Sequence, residues 1–409
     1  MTTPLESALA SALARRRATG LLRSLTVSPS ASVDFSSNDY LGLARSPALH
    51  ARFKAALNAE QQPLCGSTGS RLLTGNNSTA TELEAFLAAF HRAPSALLFN
   101  SGYDANVGLL STVAVPGSVV LYDELVHASV HDGMRRARKS VVLDSFRHNC
   151  LQDLERRVWT HVERMMGDST IKPAGILIVA ESIYSMDGDV APLKEIVALM
   201  ESVHARVGDR AGGIYLIVDE AHSTGVCGKQ GRGLVCELGL ESKVFARLHT
   251  FGKAVGAHGA VILGSETLRE YLINYARPLI YSTSLSFHSL LAIKCAYEVM
   301  IKEADQLQEK LTDLIQVFRQ HVNTLPDGIQ TVESTTAIQG IIVPGNKRVS
   351  DVCKHLQQRG LDVRPIRSPT VPKGAERLRI CLHAHNSVAE IEGLFREILV
   401  GLGLVQAML

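Results

Sequence analysis

The chain has 409 residues, of which 46% are hydrophobic and 20% are charged, and its formal net charge is +2. This length allows a large buried core and more than one domain. The near-neutral charge, with scattered Lys and Arg, argues against a nucleic-acid-binding surface, and no apolar run reaches the roughly 18 residues that a membrane span needs.

The cysteines and the chain ends bear on the cellular compartment. Seven cysteines are scattered without a CxxC pair, which is typical of reduced thiols rather than of a disulfide framework or a zinc site. Glu6 and the lack of an apolar core argue against a signal peptide, and the C-terminal Ala-Met-Leu lacks the basic residue of a peroxisomal tail. We therefore expect a cytoplasmic protein without a metal, while mitochondrial or peroxisomal targeting stays open.

The first predicted element is a basic amphipathic helix from Pro4 to about Arg23, because leucines recur at helical spacing before three arginines. From about residue 46 to 285, short apolar runs alternate with helical stretches, which predicts βαβ crossovers and a mainly parallel sheet. The predicted strands are Ala96–Phe99, Val119–Tyr122, Val141–Leu143, Ile176–Val179, Ile214–Val218 and Ala260–Leu263.

The C-terminal part follows a different pattern. A long helix is predicted from about Ser289 to Leu325, followed by strands near 338–343 and 378–382 and helices near 349–359 and from about 388. We therefore predict an α/β protein in three parts. These are an N-terminal segment of residues 1–45, a large domain of residues 46–290 and a small α+β domain of residues 291–409.

Polar side chains follow four of the predicted strands where each strand ends. They are Ser101-Gly102-Tyr103, Asp123 with His127, Glu181 to Ser185, and Asp219. Ligands of open α/β sheets bind outside the carboxyl ends of the strands, so this pattern predicts a ligand site at that edge.

Lys253, in the run Thr250-Phe251-Gly252-Lys253, lies downstream of the strand that ends in Asp219. Taken alone, the lysine suits a solvated surface and the aspartate suits a helix cap. Together they provide an amine that can bind an aldehyde and an acid that can face a ring nitrogen, which are two requirements of pyridoxal phosphate. His222, three residues after Asp219, could then reach the cofactor's phenolic oxygen.

The third requirement is a set of donors for the phosphate. Gly102 and Tyr103 open a predicted helix, whose free amide groups attract phosphate, and Thr250 could donate its hydroxyl. A plain strand-to-helix turn is the alternative for Gly102. His127 is either a surface residue or an imidazole stacked on the cofactor ring.

Several runs resemble motifs of the α-oxoamine synthases, which are pyridoxal-phosphate enzymes of fold type I. They are Asp34–Leu43, Gly66–Arg71, Ser101–Asn106, Ser185–Asp189, Asp219–Ser223, Thr250–Lys253, Ile280–Ser284, Pro369–Pro372 and Arg377–Arg379. The resemblance implies a large domain with a mainly parallel sheet and a smaller α+β domain. It also implies an acyltransferase that condenses an amino acid with an acyl thioester, carried by coenzyme A or an acyl carrier protein, to an α-aminoketone with loss of CO2.

The resemblance further implies roles for single residues around the cofactor. Lys253 would anchor the cofactor and later remove the Cα proton, Asp219 would pair with the ring nitrogen, and His127 would stack on the ring. The phenolic oxygen and the phosphate would be contacted by Ser185, His222, Gly102, Tyr103 and Thr250. Ser282 and Thr283 would reach the phosphate from a second subunit, which implies a homodimer with composite sites.

The substrate contacts that the resemblance implies are Arg23, Asn38, Thr370 and Arg379. The chain departs from the family pattern at Ala80, Cys150, Ser286-Phe287 and His383–Asn386. These departures leave open a related synthase that uses another acyl or polyketide thioester with glycine, alanine or serine. An aminotransferase and a non-catalytic partner subunit are less favoured, because the synthase motifs and Lys253 are present.

Overall fold

A computed structural model describes residues 3–27, 29, 31–60, 65–137, 141–167 and 172–405. The strands are β1 (Val33–Asp34), β2 (Ser95–Phe99), β3 (Ser118–Asp123), β4 (Val142–Phe146), β5 (Gly175–Glu181), β6 (Ile214–Asp219), β7 (Ala246–Thr250), β8 (Ala260–Gly264), β9 (Ile338–Ile342), β10 (Leu361–Asp362), β11 (Arg364–Ile366) and β12 (Arg377–Cys381).

The helices connect these strands in chain order. They are α1 (Pro4–Ala18), α2 (Pro47–Ala59), α3 (Ser78–Phe90), α4 (Gly102–Val113), α5 (Ala128–Arg135), α6 (Leu151–Gly167), α7 (Leu193–Val207), α8 (Leu234–Glu237), α9 (Glu266–Tyr275), α10 (Arg277–Ile280), α11 (Phe287–Val322), α12 (Asn346–Gln358) and α13 (Val388–Gly401). Within the described ranges, no helix has both the length and the apolar character needed to cross a bilayer.

The chain divides into two compact units, which are described separately. The larger unit comprises residues 38–312 and 383–385, and the smaller comprises the described residues of 1–37, 313–382 and 386–409. The division falls within α11, and the N-terminal segment groups with the C-terminal part of the chain. The three-part division at 45/46 and 290/291 stays a prediction.

A seven-stranded sheet organises the described part of the larger unit, in the order β2-β8-β7-β6-β5-β3-β4. The strands from β7 to β4 pair in parallel, and β8 is antiparallel to both of its neighbours. The predicted mainly parallel α/β sheet is therefore confirmed. Residues of α4, α5 and α9 pack on one face and residues of α6 and α7 on the other, so the central strands are buried on both sides, whereas the edge strand β4 is partly exposed.

Strand β7 lies near the middle of this sheet, although no strand was predicted there. All five of its residues are buried, including Arg247 and His249. Because these polar side chains interrupt the apolar run, the hydropathy of the segment did not indicate a buried strand.

The smaller unit contains a three-stranded antiparallel sheet in the order β11-β12-β9 and a short parallel pair of β1 with β10. The predicted strands near 338–343 and 378–382 correspond to β9 and β12. The predicted first helix was too long, because α1 ends at Ala18, Thr19 caps it, and Gly20 adopts a φ of 68°. None of the residues of α1 is buried.

Candidate active site

The turn between β7 and β8 carries Lys253. Phe251 N–H donates to the Gly259 carbonyl at 2.9 Å, and Ala257 N–H donates to the Phe251 carbonyl at 2.8 Å. These bonds close the turn at the carboxyl end of β7, where Lys253 is half-buried. The predicted anchoring amine therefore lies on a hydrogen-bonded turn at the end of a strand that is parallel to β6.

A chain of short contacts joins Lys253 to Asn38. Nζ of Lys253 lies 2.6 Å from Nε2 of His222, and Nδ1 of His222 lies 2.8 Å from the phenolic oxygen of Tyr40. Tyr40 donates to Oδ1 of Asn38 at 3.0 Å. A protonated lysine can only donate a hydrogen bond, so Nε2 of His222 accepts the hydrogen bond from Nζ. The hydrogen of the neutral His222 ring is then on Nδ1, which donates to the oxygen of Tyr40.

A second network joins Asp219 to His127. The carboxylate of Asp219, which is 6% exposed, accepts from Asn106 Nδ2 at 2.7 Å and from Ala221 N–H at 2.9 Å. Asn106 Nδ2 also donates to Ser129 Oγ at 3.0 Å, and that hydroxyl lies 2.7 Å from Nδ1 of His127. Because Ser129 N–H also donates to Nδ1, this nitrogen is the acceptor and the proton of a neutral ring is on Nε2.

Glu181 is a buried carboxyl group beside Asp219. The two residues are direct partners in the pairing of β5 with β6, and Glu181 accepts the N–H of His127 at 2.5 Å. Burial raises the pKa of Glu181 to about 8, and the charge of Asp219 acts in the same direction. Desolvation lowers the pKa of His127, which Asp219 opposes and Lys253 reinforces.

The amino end of α4 approaches Thr250. Ser101 caps the helix by accepting from Asp104 N–H at 3.0 Å, and a Cβ atom on Gly102 would lie 3.4 Å from Cβ and 3.5 Å from Oγ1 of Thr250. The missing side chain of Gly102 thus leaves space between first-turn amide groups and a hydroxyl, which is a donor set that fits a phosphate group. The Thr250 hydroxyl donates to the Gly259 carbonyl at 3.2 Å here, and it would have to rotate to donate to a phosphate.

The remaining predicted cofactor contacts also belong to the larger unit. Tyr103 is 45% exposed and its hydroxyl donates to Asp132. Ser185 is half-buried in the turn after β5. Ser282 is half-buried and Thr283 is exposed after α10, where the Thr283 carbonyl accepts from Asn100 Nδ2 at 2.7 Å. Their contact across a dimer stays a prediction.

Three predicted substrate contacts belong to the smaller unit, whereas Lys253 belongs to the larger unit. Arg379 is 8% exposed in β12, with Nη1 3.0 Å from Sγ of Cys381. Arg23 is exposed between α1 and β1, and Thr370 is exposed with its N–H donating to the Arg367 carbonyl at 2.9 Å. Their roles stay predictions.

Sequence reasoning missed four residues that link the predicted ones. Tyr40, Asn106 and Ser129 lie within or beside the quoted motifs, and Glu181 was noted only as a strand end. Their position in or beside the motifs could have marked them as site residues. Their functions could not be read from the sequence, because these depend on contacts between different strands and helices.

The model of the aminotransferase class I and II family matches residues 30–398 of the chain. The chain belongs to this family. It is similar to 8-amino-7-oxononanoate synthase of Emericella nidulans, with 46% identity over 404 residues, which cover 96% of this chain and 95% of that protein. It is also similar to the aminoacyl transferase sphA of Aspergillus fumigatus, with 35% identity over 380 residues, 88% of this chain and 79% of that protein.

The chain also superposes on a solved structure of SPT, a serine palmitoyltransferase, with a TM-score of 0.82. That structure contains the PLP internal aldimine. The identity is 26%, and the match covers 99% of this chain and 100% of that chain. The predicted fold type, the α-oxoamine synthase resemblance, the acyltransferase class and pyridoxal phosphate as cofactor are confirmed by these similarities.

Proposed function

We propose that this protein is an 8-amino-7-oxononanoate synthase. Such an enzyme joins L-alanine to a pimeloyl thioester, with loss of CO2, in biotin biosynthesis. The observation that carries the proposal is the 46% identity to the Emericella nidulans synthase over 96% of this chain. Within the sequence, Phe35–Tyr40, Ile280–Ser284 and the position of Arg23 favour the same choice.

Pyridoxal phosphate, when bound, acts as an electron sink that makes the Cα proton of an amino acid acidic. Asp219 is suited to face the ring nitrogen, because two donors hold its carboxylate in a buried position. A negative charge there would keep that nitrogen protonated. His127 would stack on the ring, with its orientation fixed by Ser129.

Lys253 is proposed to hold the cofactor and then to take the Cα proton on Nζ. As a general base, Lys253 must be able to pass its own proton on. Nε2 of His222 lies 2.6 Å from Nζ and offers an acceptor for that proton. His222 would therefore help to exchange protons at Lys253 as well as contact the phenolic oxygen, which Ser185 would also contact.

The phosphate would be held by the amide groups of Gly102 and Tyr103 and by the hydroxyl of Thr250. We propose that Ser282 and Thr283 of a second copy add to this site in a homodimer, as their position at or near the surface after α10 allows.

For the substrate, we propose that Asn38 and Arg379 bind the carboxylate of the amino acid, where the planar guanidinium can form two parallel hydrogen bonds. Arg23 and Thr370 are proposed contacts of the acyl thioester, whether its carrier is coenzyme A or an acyl carrier protein. We also propose a cytoplasmic location.

The deciding experiment incubates the purified protein with a grid of amino acids and acyl thioesters and identifies products by mass. We expect the highest kcat/KM with L-alanine and pimeloyl thioester. Lys253→Ala should abolish product formation, whereas Lys243→Ala, which removes a surface lysine 2.6 Å from Glu201, should not change it. A clear preference for another substrate pair, or full activity of Lys253→Ala, contradicts the proposal.

A second candidate is a related α-oxoamine synthase with a longer acyl donor or another amino acid. The 35% identity to the aminoacyl transferase sphA favours it, as do the departures at Ala80, Ser286-Phe287 and His383–Asn386. In the same grid, this candidate predicts a higher kcat/KM for serine or glycine, or for an acyl thioester other than pimeloyl.

A further inference from the structure

His148 lies between two carboxylates, that of Asp123 at the end of β3 and that of Asp189 in the loop between β5 and α7. Its Nδ1 is 2.9 Å from Oδ1 of Asp123, and its Nε2 is 2.6 Å from Oδ2 of Asp189. Only a doubly protonated ring can donate to both oxygens, so the geometry suits an imidazolium. The His148 side chain is 22% exposed and that of Asp123 is fully buried.

Asp123 shapes the turn that leads to His127. Its Oδ1 accepts from Leu125 N–H at 2.9 Å, and its carbonyl accepts from Val126 N–H at 3.1 Å. His127 follows directly as the first residue before α5. The Asp123 carboxylate therefore helps to fix the turn that positions the side chain of His127.

Asp189 closes the turn that carries Ser185. Tyr184 N–H donates to the Asp189 carbonyl at 3.0 Å, and Gly188 N–H donates to the Tyr184 carbonyl at 2.8 Å. The Asp189 carboxylate also accepts from Asn149 Nδ2 at 2.6 Å. His148 and its neighbour Asn149 thus contact the same oxygen, Oδ2 of Asp189, and both can hold this turn in place.

We propose that His148 is a positioning residue whose charged ring ties the turn of Ser185 to the turn of His127, so that both residues meet the same cofactor ring. The inference rests on the proposed function, because it takes His127 and Ser185 as cofactor contacts. His148 acts on both turns through Asp123 and Asp189.

The surroundings of the ring support its charge. Besides the two aspartates, Glu124 accepts the backbone N–H of His148 at 3.0 Å, and the ring of Tyr184 lies edge-on at 4.4 Å. Burial lowers the pKa of His148, but the hydrogen bonds and charges of Asp123 and Asp189 outweigh it and raise the pKa to about 10. The imidazolium therefore persists through neutral pH.

The test measures the dissociation constant of pyridoxal phosphate by spectroscopic titration of the cofactor-depleted protein. For His148→Gln we expect this constant to rise about tenfold and the absorption band of the bound cofactor to shift, because the two turns lose their shared donor. His161→Gln is the matched control. It breaks another His–Asp contact, between α6 and β4, in which Nε2 of His161 is 3.0 Å from Oδ2 of Asp144, and it should bind the cofactor like wild type.

Asn149→Gly is the second variant. It removes the amide that contacts Asp189 but suits the positive φ of 49° at this position, so it should fold and show a smaller rise in the same direction. If both variants bind the cofactor as tightly as wild type, or if His148→Gln only lowers the melting temperature, the positioning role is wrong. If His148→Gln does not fold, Asn149→Gly decides. Failure of wild type to bind the cofactor contradicts the proposed function instead.

Discussion

The phenolic oxygen of Tyr40 and Nδ1 of His222 lie 2.8 Å apart, and both side chains are buried. Tyr40 donates its own proton to Asn38, so it can only accept at this contact. The pair thereby fixes which nitrogen of His222 faces Lys253 as an acceptor. Tyr40, a residue of the N-terminal motif, thus determines the tautomer of His222, which lies beside the anchoring Lys253.

The first prediction concerns this contact. Tyr40→Phe should lower kcat about fivefold, because a hydrogen bond worth about 1 kcal/mol no longer fixes the tautomer of His222. It should also shift the pH profile of kcat, which a purely structural change would leave in place.

Tyr297→Phe is the matched control, because it removes another buried Tyr–His contact, at 2.9 Å to His91. The two variants should lose similar stability in thermal unfolding, and only Tyr40→Phe should change the pH profile. Equal profiles in both variants would show that Tyr40 has no influence on the proton of His222.

The second prediction concerns the space beside Thr250. Gly102→Ala should leave the melting temperature unchanged, since the added methyl group would meet Thr250 at an ordinary 3.4 Å. The methyl group would nevertheless occupy the proposed phosphate position. We expect the dissociation constant of pyridoxal phosphate to rise about tenfold, which corresponds to about 1.4 kcal/mol.

Gly393→Ala, in α13, adds a methyl group with no neighbour within 4 Å and serves as its control. It should raise the melting temperature slightly, because alanine is the better helix former, and should leave cofactor binding unchanged. A Gly102→Ala protein with wild-type affinity would place the phosphate elsewhere.

The third prediction concerns the link between Asp219 and Ser129. Asn106→Ala removes the donor at 2.7 Å from the Asp219 carboxylate and leaves that oxygen buried without it. We expect a stability loss of about 1–3 kcal/mol in urea unfolding, together with weaker cofactor binding. Asp219→Asn should weaken cofactor binding too, and the double variant should be less than additive. Additive effects would mean that Asn106 does not act through Asp219.

The fourth prediction concerns pH. The carboxyl group of Glu181 has an ordinary pKa of 4.5 and a folded pKa of about 8, so the folded protein holds a proton that the unfolded chain releases between these values. Stability from this group is therefore complete below about pH 4.5 and is lost as the pH rises through 8, with each pKa unit worth at most about 1.4 kcal/mol.

Glu181→Gln keeps an oxygen for His127 N–H and cannot ionise. In urea unfolding of the cofactor-free protein, wild type should lose stability relative to this variant between pH 5 and 9. Parallel curves over that range would mean that Glu181 is ionised in the folded protein at neutral pH.

The sequence predicted the sheet well where strands are uniformly apolar, as at Ile176–Val179. It failed at β7, because Arg247 and His249 are buried against partners that hydropathy cannot reveal. Nη1 of Arg247 lies 3.2 Å from Sγ of Cys236, and Nε2 of His249 lies 3.2 Å from Glu220. Burial of such residues depends on tertiary contacts rather than on local pattern.

The site shows the same division. Lys253, Asp219 and His222 could be proposed from chain order, because each follows a strand or lies in a motif. His148 and Glu181 could not be assigned roles, since these depend on which strand ends are adjacent. Adjacency here follows from the strand order, in which β5 lies between β6 and β3.

The pairing of β2 with β8 bears on how late in synthesis the sheet that carries this site can be completed. β2 leaves the ribosome early, yet its hydrogen-bonded neighbour is Ala260–Gly264, made after β3 to β7. Gly102 follows β2 and Lys253 follows β7, and β8 lies between these two strands in the sheet. Contacts between segments so distant in sequence form slowly. A nascent chain that stops short of β8 therefore leaves β2 without its hydrogen-bonded neighbour in the sheet, which is an unpaired edge that can pair with another chain.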